Sequence, residues 1–210
     1  MRIAKQIESP EGNSICFLQN ELHNKVLVIG VFHGDEPQGK FLIEEYLKQT
    51  PNSKLSFVPC LNPDGMGVNK GENKRVNSNG VDLNRNFPTQ NWELTEKNEF
   101  FGGTSPASEI ETVFIKSIVE EMMPELILTL HAPFKVVNYD GDAAEIADKI
   151  SKIINYPTEA SIGYPTPGSF GTWAGVERKI PTITLELDEE IDVKLLEKPV
   201  FEIFSMLEDY

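Results

Sequence analysis

His33 directly follows the apolar run Val26-Leu27-Val28-Ile29-Gly30-Val31-Phe32, and Glu36 stands three residues after it. His131 directly follows a second apolar run, Leu126–Leu130, and Glu186 lies at the end of a third, Pro181–Leu187. Continuous apolar runs of this length read as strands buried on both faces of a sheet, and in open α/β sheets ligands bind outside the carboxyl ends of the strands. Two imidazoles and two carboxylates at three such ends therefore point at one crevice. Two imidazoles with one carboxylate, leaving a fourth position for water, make a catalytic zinc arrangement, and His-x-x-Glu spacing lets one loop supply two of the ligands. On its own His-x-x-Glu is a weak signal, and histidines at strand ends are often structural. The third histidine, His23, precedes an Asn-Lys turn and reads as a surface residue.

The polar stretch from Asn62 to Asn91 adds to this. It carries the turn signals Asn62-Pro63-Asp64-Gly65 and Asn79-Gly80, then Arg75, Asp82 and Arg85 between Asn84 and Asn86. A guanidinium fork matches a carboxylate in two hydrogen bonds, although a single loop arginine is more often a weak surface ion pair. A structureless loop this long inside a compact domain is uncommon unless it is functional. Here Lys70, Lys74, Arg75 and Arg85 stand against Asp64, Glu72 and Asp82, a net +1, which leads us to expect a locally cationic pocket.

The elements that must hold these residues alternate between strand and helix patterns, the sequence form of an α/β fold. A helix is expected after Pro37, with Phe41, Leu42, Glu45 and Tyr46 in it, and a strand over 55–61. Ser105-Pro106 is expected to open a helix carrying Ile110, Val113, Phe114 and Ile118 on one face and closed by Pro124. Ile146, Ile150, Ile153 and Ile154 form an i, i+4, i+7, i+8 stripe over about 142–155. A last acidic helix is expected to break near Pro199. With no internal repeat, low-complexity tract or linker, residues 1–210 read as a single domain.

Composition excludes several functions. The chain has 19 Lys and Arg against 33 Asp and Glu, a net charge of −14, which disfavours nucleic acid and anionic membranes as partners. Half of that charge lies in 186–210, where nine acids face Lys194 and Lys198, and a solvated acidic helix accounts for it. The two cysteines, Cys16 and Cys60, give no disulfide framework, and Cys60 sits in an apolar run as a buried inert thiol. Residues 1–8 alternate apolar and polar without an apolar leader core, and no 18-residue apolar stretch occurs, so a cytoplasmic location is expected. No heptad marks an oligomeric state.

Taken in order, these segments resemble the M14 zinc carboxypeptidase family, in its branch of bacterial amidases that recycle peptidoglycan peptides. The resemblance is carried by His33-Gly-Asp-Glu36, Asn62-Pro-Asp-Gly65, Gly80-Val-Asp-Leu-Asn-Arg-Asn-Phe-Pro88, Phe101-Gly-Gly103 leading into Ser108-Glu109, Leu130-His131 and Thr184-Leu-Glu186-Leu187. These motifs keep the family's order and span most of the chain. The resemblance implies a three-layer α/β/α domain with a mixed, mostly parallel central sheet. It implies one Zn2+ per chain held by His33, Glu36 and His131, with Asp82 as the carboxylate that orients a ligand histidine. It implies Glu186 as general base, Arg75 as the electrophilic arginine, Asn84 with Arg85 as the clamp on a substrate carboxylate, and Tyr164 as the tyrosine that covers the substrate. Phe170 and Gly171 occupy the segment that lines the specificity pocket in related enzymes, and neither carries a charge.

The activity so implied is zinc-dependent hydrolysis of an amide next to a carboxylate-bearing residue in a small peptide. The preferred substrate is the γ-D-glutamyl–meso-diaminopimelate amide of murein tripeptide. An N-acyl-amino-acid deacylase of the aspartoacylase or succinylglutamate desuccinylase type shares the His-x-x-Glu and Asp-Leu-Asn-Arg elements. That branch usually carries a further C-terminal β domain, for which the short segment after Glu186 leaves no room. A metal-free module that binds peptidoglycan peptides would not need the intact ligand set, Arg75 and Glu186.

Overall fold

The computed structural model describes residues 1–67, 72–160, 163 and 165–210; Lys70 and Tyr164 lie outside the described residues. Among these, eight strands form one sheet. They are β1 (Arg2–Glu8), β2 (Ser14–Gln19), β3 (Val26–Gly30), β4 (Ser56–Val58), β5 (Leu126–His131), β6 (Val136–Asp140), β7 (Thr158–Glu159) and β8 (Thr182–Glu186). Their spatial order is β1-β2-β4-β3-β5-β8-β6-β7. The four central strands β4, β3, β5 and β8 run parallel, and β6 and β7 also pair in parallel. β1 with β2, β2 with β4 and β6 with β8 are antiparallel, so the sheet is mixed and mostly parallel, as expected.

Side chains alternate across a strand, and here that alternation builds two cores. Val26 and Val28 of β3 and Leu126, Leu128 and Leu130 of β5 face one way. They pack with Leu42, Ile43 and Tyr46 of α1 (Gln38–Gln49), Ile146 and Ile150 of α3 (Ala144–Ile154), and Val200, Ile203, Phe204 and Leu207 of α4 (Glu197–Leu207). Leu27 and Ile29 face the other way, onto Phe114, Ile115, Ile118 and Val119 of α2 (Ile110–Met122) and onto Phe87, Phe170 and Trp173. Helices cover both faces, which is the three-layer arrangement. The apolar runs at 26–30 and 126–130 are continuous because both faces of these strands are buried.

Several elements differ from expectation. α2 begins at Ile110, after Pro106, and buries Phe114, Ile115, Ile118 and Val119; Ile110 and Val113 are exposed. The residues before it are committed to the loop: Ala107 has φ +54° and its N–H donates to Asn86 O at 2.6 Å. Pro199 does not break α4, because it falls in the first turn, where a missing N–H costs nothing. The acidic end is not only a solvated face, since α4 sends its apolar stripe into the core. Glu208, just beyond it, accepts from Lys54 N at 2.8 Å and Tyr46 Oη at 3.1 Å. The β1–β2 hairpin and strands β6 and β7 had no counterpart in the sequence reading. Cys60 is buried as expected, and burial pushes its thiol up to about 12.

Candidate active site

The strand ends deliver the expected groups. β3 stops at Gly30, two residues short of the apolar run, because Val31 turns the chain out of the sheet at φ +56°. A buried β-branched residue with positive φ is strained, and such strain gathers at functional sites. The chain then places His33 above the sheet, and Glu36 follows one turn later, ahead of α1. His131 is the last residue of β5, and it sits opposite Glu186, the last residue of β8.

His33 Nδ1 lies 2.7 Å from Glu36 Oε1, and His131 Nδ1 lies 3.0 Å from Glu36 Oε2. One ligand atom from each of these three residues falls within 4.8 Å of the others, and all three side chains are buried. Two imidazole nitrogens and a carboxylate oxygen gathered this closely fit a zinc ion with an open position. The far nitrogen of His33, Nε2, lies 3.1 Å from Asp82 Oδ1, which fixes the ring. Burial alone would depress His33; the charges of Asp82 and Glu36 more than reverse that and raise it to about 9. Burial works against the charge of Glu36 too, but His33 and His131 hold its carboxyl down at about 2.

Asp82 is fully buried and serves three partners at once. Oδ1 also accepts from Asn84 N at 2.8 Å, while Oδ2 accepts from Arg75 Nε at 3.1 Å and Nη2 at 2.9 Å. The remaining fork of Arg75 points inward, with Nη1 3.3 Å from His33 Nδ1 and 3.8 Å from Glu36 Oε1. A short helical turn, Leu83–Arg85, then presents Asn84 and Arg85 in succession. Arg85 Nη1 donates to Asn84 O at 2.7 Å. Asn84 Oδ1 accepts from Phe170 N at 2.9 Å, which leaves its amide N–H groups for a ligand.

A cavity of about 270 Å³ joins these groups, lined by His33, Glu36, Arg75, Asn84, Arg85, His131 and Glu186. Asp82 lies behind the wall and Tyr164 lies outside the described residues, so it is not placed. Glu186 is 6 % exposed, and burial raises its carboxyl above the usual range, partly offset by His131 and by the N–H of Phe134. Its Oε2 has no hydrogen-bond partner among the described residues. A carboxyl raised in this way is suited to accept and return a proton.

Two expectations need correction. The pocket is not cationic in its own side chains: Arg75 and Arg85 face Glu36, Glu186 and a further acid, Asp140, while Lys74 lies exposed outside it. The loop count failed because the acids that line the cavity, Glu36, Asp140 and Glu186, come from other parts of the chain. Phe170 does not line the pocket either; it packs into the aromatic core against Phe32, Phe87 and Trp173. Asp140, on β6, was missed by sequence reasoning and lines the cavity beside Gly171. The run Val136-Val137-Asn138-Tyr139-Asp140-Gly141, β-branched and aromatic residues ahead of an Asp-Gly turn, was the signal that could have found that strand.

Comparison with known proteins agrees with this geometry. Residues 4–153 match the Peptidase_M14 model, described as zinc carboxypeptidase. Murein peptide amidase A of Escherichia coli K12 is 30% identical over 195 residues, covering 86% of this chain and 78% of that protein. The enzyme of the same name from Vibrio campbellii is 32% identical over 185 residues, covering 80% and 71%. The crystal structure of murein-tripeptide amidase from E. coli O157 superposes with a TM-score of 0.85 at 27% identity, covering 97% of this chain and 90% of that one. With its family signature and its assembled His-Glu-His site in agreement, the chain belongs to the zinc carboxypeptidase family, Peptidase_M14.

Proposed function

We propose that residues 1–210 act as one catalytic domain that releases a carboxylate-bearing residue by hydrolysing the amide bond before it. The substrate in this reading is murein tripeptide, cleaved between γ-D-glutamate and meso-diaminopimelate. The observation that carries it is the opening of Arg85 and Asn84 into the same cavity as the His-Glu-His group and Glu186. A buried guanidinium beside a free amide is a carboxylate receptor, and its placement next to the hydrolytic groups makes the cut an exo-cleavage. The similarity to murein peptide amidases supports the choice of peptide.

In this mechanism His33, Glu36 and His131 hold zinc, which when bound polarises the amide carbonyl and makes hydroxide available near neutral pH. Arg85 and Asn84 bind and orient the carboxylate of the departing residue. Arg75, steadied by Asp82, stabilises negative charge on the carbonyl oxygen, a contribution typically of about 3–4 kcal/mol for one such donor. Glu186 takes the proton of the attacking water at its carboxylate and returns it to the leaving amine nitrogen as the C–N bond breaks. Among the described residues no helix is long and apolar enough to cross a membrane. A cytoplasmic site of action, where recycled murein peptides arrive, belongs to the same proposal.

The test is incubation of zinc-loaded protein with murein tripeptide, followed by mass spectrometry for free diaminopimelate. Release of diaminopimelate with L-Ala–γ-D-Glu is expected. No release, with turnover of N-acetyl-aspartate or succinyl-glutamate instead, would replace this reading with a deacylase.

A further inference from the structure

A second cavity, of about 360 Å³, lies on the other side of Arg85 and takes no part in the mechanism above. Arg85, Glu93, Thr95, Phe100, Pro165 and Pro167 line it, and of these Arg85 and Pro165 also line the active-site cavity. Arg85 is thus the wall between the two. Its Nη1 donates to Asn84 O, and its other guanidinium N–H groups have no partner among the described residues.

The walls offer three kinds of contact. Phe100, Pro165 and Pro167 are apolar, and Phe100 keeps 45 % of its surface exposed. Glu93 is an exposed carboxylate with no partner among the described residues. Thr95 Oγ1 is covered and equally without a partner, a state that costs stability until a donor reaches it. The backbone of Gly102, also in the wall, adds no acceptor, because its carbonyl already takes Asn86 Nδ2 at 2.8 Å and Trp92 Nε1 at 3.3 Å. A cavity with one cation, one anion, a spare hydroxyl and apolar walls is complementary to a zwitterion with a hydrophobic body.

We propose that this cavity binds a free α-amino acid with an apolar side chain. Its carboxylate meets the guanidinium of Arg85, and its ammonium meets Glu93 and the Thr95 hydroxyl turned inward. Its side chain packs on Phe100 and the two prolines. The consequence for turnover follows from the shared wall. A guanidinium engaged from the second cavity is drawn from the substrate carboxylate in the first, so the amino acid acts as an inhibitor. Phe100 strengthens the link, since the Arg75 guanidinium lies 5.2 Å from its ring centroid. The inhibition rests on the proposed hydrolysis, whereas the binding does not.

The test is calorimetric titration of zinc-loaded protein with L-leucine, with 4-methylpentanoate, which lacks the ammonium, and with 3-methylbutylamine, which lacks the carboxylate. Leucine is expected to bind about 10-fold or more tightly than either, the size of a lost hydrogen bond to a charged group. Thr95→Val should weaken leucine by about 10-fold and Glu93→Gln, at an exposed site, by about 3-fold. Neither substitution should change binding of 4-methylpentanoate or hydrolysis in the absence of leucine. Glu93→Gln decides by the ratio of leucine to 4-methylpentanoate if Thr95→Val does not fold. In the rate assay leucine should raise KM for murein tripeptide and leave kcat unchanged, and it should do so less in both variants. If the tripeptide is not cleaved but leucine binds in a Glu93- and Thr95-dependent way, the murein reading falls and the second site stands. Leucine that does not saturate by about 10 mM, the weakest affinity expected of a ligand of this size, overturns the proposal. So does leucine binding that both variants leave unchanged.

Discussion

Glu111, near the start of α2, offers the clearest quantitative test of how this fold treats a buried charge. Its side chain has no exposed surface, Oε2 has no partner among the described residues, and Oε1 accepts from Asn77 Nδ2 at 3.3 Å. That amide also serves Glu109 Oε2 at 2.8 Å. Burial raises the Glu111 carboxyl from 4.5 to about 7, with Glu109 and Asp64 adding to the effect against its own N–H and Asn77. A raised folded-state pKa means that the native protein holds this proton over a pH range where the unfolded chain has released it. The contribution of Glu111 to native stability is therefore highest below 4.5, falls as pH rises to about 7, and is level above that. At about 1.4 kcal/mol per unit, the total loss is about 3 kcal/mol, a sizeable share of an ordinary domain's stability. Glu111→Gln cannot ionise, so its stability relative to wild type should climb by that amount between pH 4.5 and 7. Any fixed cost of the amide cancels, because only the change with pH is read. Urea denaturation of both proteins at pH 5, 6, 7 and 8 measures it. Parallel pH dependences for the two proteins would refute the argument.

Asp82→Asn should weaken zinc binding about 10- to 100-fold, because His33 loses its orienting carboxylate; a competition titration with a chelator reads this directly. Glu186→Gln is expected to keep zinc while turnover collapses, whereas Glu36→Ala should lose the metal itself; metal analysis beside a rate assay separates the two, and full activity in Glu186→Gln would remove its assigned role. Arg85→Lys should lower kcat/KM by about 10-fold or more, chiefly through KM, since one ammonium cannot replace a two-pronged fork; steady-state kinetics show whether kcat falls instead.

His33, His131 and Glu186 were legible because each sits at the end of an apolar run, and strand ends in a parallel sheet meet in one place; Glu36 was legible through its spacing of three from His33. Asp82, Asn84 and Arg85 were legible for a different reason: they are neighbours in sequence, so one short helical turn carries them together. Asp140 was not, because its place in the cavity beside Gly171 is set only once β6 has paired beside β8. The hairpin β1–β2 escaped because β1 is mostly exposed, so its Ile3 and Ile7 alternate with polar residues and no buried run marks it. The start of α2 was misplaced because Ser105-Pro106 is a valid helix opening by local chemistry. Tertiary bonds of the segment to Asn86 O and Nδ2 decide otherwise.

Gly34, between the two ligands that the first loop supplies, is pressed against another glycine. A Cβ on Gly34 would sit 1.9 Å from the carbonyl carbon of Gly65, and its N–H already donates to Arg75 O at 3.3 Å. Lys74 N in turn donates to Gly65 O at 2.7 Å. The metal loop and the arginine loop thus meet backbone to backbone, with no side chain between them to yield. They behave as one mechanical part: a shift in either is passed to the other without slack. Grafting this hydrolytic centre onto another scaffold would require both loops as a unit, and a designer who moved only the ligands would lose the arginine with them.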